Sequence, residues 1–157
     1  MKTPLFTLFI ISILTVSCKK DEKATTSTNT PVGCSSSLVN KLSCKVGGQE
    51  WCSNSTCFAD LAIVLTINGM NNNGSNLTLE LDDYTPGTYP ITSDRNHILY
   101  TNGNGWESTD SNPGTLTITS NNTSTHELKG TFSVTLLSPL TGNLEVSSGV
   151  IDVFYTN

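Results

Sequence analysis

Four cysteines crowd into one short stretch of this chain, Cys34, Cys44, Cys52 and Cys57, and a fifth, Cys18, stands apart. Thiols at that density either hold a metal or pair with one another. Four-cysteine zinc sites are built from close C-x-x-C pairs, which this stretch lacks, so no metal is expected. An even set in an exported chain points instead to two disulfides. Three pairings are open. A two-residue turn at Gly47-Gly48 would set Cys44 opposite Trp51 and put Cys52 on the other face of the hairpin, which favours Cys34–Cys44 with Cys52–Cys57. A three-residue turn would set Cys44 across from Cys52 and leave Cys34 to Cys57.

His97 and His126 are the only histidines. Hydrolytic chemistry would need one of them beside a nucleophile and an orienting acid, but the chain has no G-x-S-x-G elbow and no H-E-x-x-H pair. Both read as polar residues at strand ends, and no enzyme activity is expected. Asp82-Asp83 and Asp110-Ser111-Asn112 offer oxygen ligands of the kind calcium takes, without the spacing of a known calcium loop. No cofactor motif is present.

Trp106 is the residue that points to binding. It lies in Asn102-Gly103-Asn104-Gly105-Trp106-Glu107, a loop of residues too flexible to bury a large ring by themselves. An indole there can stack on a sugar face while Asn102, Asn104 and Glu107 take the hydroxyls. The competing reading folds the ring back onto the end of the core. Trp51, just after the first turn, reads as core.

The elements that must position these groups are strands. Apolar residues alternate with polar ones in Leu77, Leu79 and Leu81, in Leu116 and Ile118, and in Phe132, Val134 and Leu136. Leu61, Ile63, Leu65 and Ile67 alternate in the same way, and the Asn/Gly-rich stretch 68–76 turns that run back into Leu77 as an antiparallel hairpin. Past Ser147-Ser148-Gly149 the apolar phase slips by one, so that Ile151, Val153 and Tyr155 face inward. A slip beside a glycine predicts a β-bulge. The expectation is an all-β domain over residues 34–157, an antiparallel β-sandwich of eight to ten strands, with a β-barrel as the alternative.

Ahead of it, Lys2 and the apolar run Leu5 to Val16 read as a signal peptide over residues 1–17, ended by Ser17-Cys18. Leu14-Thr15-Val16-Ser17-Cys18 resembles a lipobox, with its leucine displaced by one position. The resemblance implies acylation at Cys18 and a membrane partner through that lipid. Residues 18–33 then form a polar tether. Lys20-Asp21-Glu22 resembles the lysine-plus-two-acids export signal of Bacteroidota surface lipoproteins, which implies an outer-membrane protein facing outward. The domain sets four cationic side chains against eleven carboxylates, a balance of about −7, which disfavours nucleic acid as a partner.

Lys45-Val46-Gly47-Gly48-Gln49-Glu50-Trp51, Pro86-Gly87-Thr88-Tyr89-Pro90-Ile91, Gly130-Thr131-Phe132-Ser133-Val134 and Gly149-Val150-Ile151-Asp152-Val153-Phe154-Tyr155 resemble small uncharacterised Bacteroidota lipoprotein domains in kind and order. The resemblance implies shared all-β architecture and no chemistry. Two functions follow as expectations: a surface-tethered module that binds a glycan or a protein, or a structural envelope lipoprotein with no small-molecule site.

Overall fold

In a computed structural model, which describes residues 37–157, the alternating runs become strands and no helix forms among the described residues. The first five are β1 (Lys41–Val46), β2 (Gln49–Cys52), β3 (Thr56–Leu61), β4 (Leu65–Met70) and β5 (Asn76–Leu81). After them come β6 (Gly87–Ile91), β7 (His97–Thr101), β8 (Gly105–Glu107), β9 (Gly114–Asn122), β10 (Glu127–Ser138) and β11 (Gly142–Phe154). Leu65, Ile67, Leu77, Leu79 and Leu81 are fully buried, and every second residue between them is less so. Pleating sends successive side chains to opposite faces, so period two in the sequence becomes one apolar face in the fold.

The run from Leu61 to Ile67 is a correction. It is two strands, not one: β3 ends at Leu61, which pairs directly with Leu65, and residues 62–64 make a tight turn. Ala59 opposite Ile67 keeps both facing inward, so parity survives the turn while Ile63 is thrown into solvent, 97% exposed.

All eleven strands belong to a single antiparallel sheet, ordered β2-β1-β11-β10-β8-β7-β5-β4-β3, with β9 paired to β10 and β6 to β9. The twelve-residue β10 explains this. Its first half pairs with β9 and its end reaches β8, so one strand joins both wings. The sheet curls until β3 meets the end of the chain: Asp60 bridges Thr156 in parallel, and the Leu61 amide donates to the Thr156 carbonyl at 2.7 Å. The all-β antiparallel expectation holds. The strands form one curled half-barrel, not two stacked sheets, nearer the barrel alternative and with one strand more than the highest number expected.

The bulge falls where the phase slip put it. Phe132 pairs with Gly149 and Val134 with Val146, leaving Ser133 facing the two residues Ser147 and Ser148. Ser148 takes a left-handed φ of 53°, and Ile151, Val153 and Tyr155 then point into the core. Gly149 has to be glycine, because a Cβ there would sit 2.5 Å from the Phe132 ring.

Four turns gather at one end of the half-barrel, its mouth: β1–β2, β4–β5, β7–β8 and β10–β11. At the opposite end, the base, Asn96 locks two loops together. Its amide donates to Asp83 and to the Pro90 carbonyl, both at 3.0 Å, and its oxygen accepts from the Asp83 amide at 3.0 Å. Asn96 is fully buried with φ of 51°, a conformation asparagine tolerates better than most residues. Asn96→Ala should therefore destabilise the domain by about 3 kcal/mol in urea melts, since it orphans buried partners as well as losing its own bonds. Asn96→Gly should not restore that loss.

Arg95 grips Asp83 with two bonds of 2.7 and 2.8 Å, and this pairing holds the Asp83 carboxyl below the usual carboxylate range, with Asn96 helping and partial burial opposing. A depressed folded-state value gives stability that is complete above the ordinary pKa of about 4 and is lost as pH falls through the folded value. Asp83→Asn should accordingly flatten the acid limb of the stability profile relative to wild type, and an unchanged acid limb would count against the pair.

Candidate functional site

The mouth holds an aromatic-lined hollow of about 290 Å³. Its floor begins with β1 and β2. Gly47 and Gly48 both take positive φ, 55° and 79°, the geometry of a two-residue hairpin turn, and Cys44 pairs with Trp51 as that turn length predicts. Trp51 therefore faces inward, 4% exposed, and its Nε1 donates to the buried Ser75 Oγ at 2.8 Å. Tyr100 on β7 meets Trp51 edge-on, ring centroids 6.4 Å apart. Trp106 on β8 pairs with Tyr100 and leans on its ring at 5.9 Å and 41°. Three rings thus run in a chain from the core to the rim.

Trp106 lies on a short strand, not in the loop itself. It is half-buried against the core and also lines the hollow. Asn102 is brought to the same hollow. Asn104 and Glu107 are not. Glu107 follows Trp106 by one residue, so it points to the outer face, where its carboxylate lies 3.9 Å from His97. Asn104 contributes its carbonyl to the turn, accepting from the Asn102 amide at 2.9 Å.

The sequence did not single out the remaining wall. Asn71 and Asn73 come from the β4–β5 turn, Gln49 and Glu50 from β2, and Val46 and Leu144 supply apolar edges. Asn71 Oδ1 accepts from the Asn73 amide at 2.7 Å and Asn73 Oδ1 from the Ser75 amide at 2.9 Å. These bonds fix the turn and leave the NH2 of each amide as its donor end. Glu50 lies 3.6 Å from Lys45. Two further hollows, of about 300 and 250 Å³, lie on the β9–β10–β11 region; the first is lined mainly by Thr and Ser, the second by a mixed set, and neither has a Trp or Tyr.

The cysteines require a correction. Cys44 and Cys57 carry free thiols, so neither Cys34–Cys44 nor Cys52–Cys57 forms. Cys52 is disulfide-bonded, and Cys34 lies outside the described residues. The reason is facing: Cys44 is on the inward side of β1, fully buried in the core, while Cys52 follows the inward Trp51 and so leaves the hairpin on its other side. Burial, with the Glu50 carboxylate adding to it, pushes the Cys44 thiol up to about 12. Burial also raises Cys57, opposed by a bond from Ser53. Because only the thiolate reacts, Cys44 should resist iodoacetamide under native conditions and become labelled only on unfolding. Rapid native labelling of Cys44 at neutral pH, read by peptide mass, would show that the core is open there.

The other candidates are structurally engaged. His97 stands between Glu80 and Glu107 at 3.8 and 3.9 Å, and His126 stacks on Tyr155 at 5.0 Å. Asp83 belongs to the Asn96 lock, and Asp110 accepts from the Ser93 hydroxyl at 2.9 Å. Cys18, the signal peptide and the tether lie outside the described residues.

Residues 42–153, from the first strand to the last, match the model of a family described as a domain of unknown function (DUF6252). No curated protein and no solved structure matches the chain.

Proposed function

The chain belongs to the DUF6252 family, whose function is unknown, and from the chemistry of its own mouth we propose a binding module for the end of a neutral glycan. The observation that carries this reading is the convergence of Trp51, Tyr100 and Trp106 with the amides of Asn71, Asn73 and Asn102 in one hollow. Flat aromatic faces cover the C–H face of a sugar, and fixed amides take its hydroxyls. A volume of about 290 Å³ suits a chain end more than a long segment. Glu50 at the rim and the acidic balance of the domain disfavour anionic sugars.

The same reading places the domain at the outer face of an outer membrane, held by acylated Cys18 and directed outward by Lys20-Asp21-Glu22. Ser17-Cys18 behind an apolar leader supports it. The test is a screen of neutral and acidic oligosaccharides against the purified chain, followed by tryptophan emission on any hit. A neutral saccharide should shift the emission, with little dependence on salt. A screen without hits, and unchanged emission at high sugar concentration, would leave the accessory envelope role with no small-molecule site.

A further inference from the structure

The mouth and the entry of the chain lie at opposite ends of the domain. β1 runs from Lys41, opposite Asp152, to Val46 beside the mouth, so the described chain enters the domain at its base. Toward that end, on the side formed by β1, β3 and β11, four large apolar side chains are exposed. Val39 is 77% exposed, Ile63 97% and Phe154 42%, and Phe58, on the outward side of β3, is 53% exposed. The segments that carry them adjoin. Asn40, next to Val39, bonds the Phe154 amide at 2.7 Å and carbonyl at 3.1 Å, and its Nδ2 reaches the Cys57 carbonyl at 3.5 Å. The parallel bridge of Asp60 with Thr156 sets Phe58 alongside Phe154, and Ile63 tips the turn that follows. Single exposed apolar residues are ordinary on a protein surface, but a cluster of this kind marks a contact face.

We propose that this base rests on the lipid bilayer, with Val39, Phe58, Ile63 and Phe154 entering its interfacial layer and the mouth turned to solvent. The proposal rests on the anchored reading above. Eighteen residues separate Cys18 from Ser37, and even fully stretched they reach only about 60 Å, so an acylated chain attached at the base holds that end within this distance of the membrane. At such local concentration a weak apolar contact is enough to orient the domain. The charges nearby are engaged: Lys129 lies 2.8 Å from Glu127 and 3.5 Å from Asp152, and Asp60 accepts from the Thr156 hydroxyl at 2.8 Å.

The test uses the full acylated chain on phosphatidylcholine vesicles with brominated acyl chains, which quench only indoles that reach them. The native Trp51 and Trp106, both at the mouth, report the far end. Flotation is read first, because a chain that does not float with the vesicles removes the anchor and this proposal with it. On floating protein, I63W should add emission that brominated lipid quenches roughly two-fold or more, while wild-type emission stays unchanged. F154W is the second reporter, at a site already aromatic. Floating protein with no quenching at either position overturns the base contact while leaving the anchor intact. Quenching of the wild-type indoles would invert the orientation and overturn it too.

Discussion

Replacing Trp51 by Ala will destabilise the domain by about 3–5 kcal/mol, the range for deleting a large buried aromatic side chain. The ring is 4% exposed, meets Tyr100 edge-on and donates to Ser75. Gly69 makes room for it: a Cβ there would lie 3.3 Å from the far edge of the indole and 3.0 Å from Ser53. The truncation therefore opens a cavity that strands β1 and β4 cannot easily close. Urea unfolding should show a lower midpoint, and the melting temperature should fall by more than about 10 °C. Trp51→Phe is the milder change, since it keeps an aromatic ring in place while losing the Nε1 bond to Ser75 and the far edge of the indole, and it should cost less than the Ala variant. A loss below about 1 kcal/mol for the Ala variant would mean that the ring does not hold the floor of the mouth.

Trp106→Ala will act on binding instead. Affinity for a saccharide returned by the screen should fall about thirty-fold, on the order of 2 kcal/mol, as for a central aromatic contact. Stability should fall less than for Trp51, because Trp106 is only half-buried. Asn102→Ala should weaken binding more modestly, whereas Glu107→Gln and Asn104→Ala should leave it unchanged, as both lie outside the hollow. Calorimetry on the four variants reads this pattern directly. Equal affinity in wild type and Trp106→Ala would move the site elsewhere; a loss with Glu107→Gln would move it to the outer face.

Parity is what the residues disclose most clearly. The slip at Ser147-Ser148-Gly149 is written in the order of apolar and polar residues, and the bulge lies there. Alternation says which way a side chain faces and nothing about which strand lies beside it, so a sandwich and one curled sheet read alike. The turn at 62–64 carries no Gly, Pro or Asn, and its apolar Ala, Ile and Val continue the alternation on either side. Trp106 and Asn102 were legible because a large ring among flexible residues is locally odd. Asn71, Asn73 and Tyr100 are locally ordinary. They matter only because separate turns and strands, distant along the chain, come together at one end of the half-barrel. Glu107 fell on the wrong side because three-residue β8 is too short to show its alternation.

The return of the chain's last residues to β3 also governs when the domain can fold. The first strand made, β1, finds its main partner in the last, β11, and the seam closes only when Thr156 reaches Asp60. No amino-terminal fragment emerging from a ribosome can complete this sheet. Folding must wait for nearly the whole chain and then close its longest loops at once, which makes it slow for its size. Until β11 and Thr156 are available, β1 and β3 lack these partners and depend on whatever shields their unpaired edges.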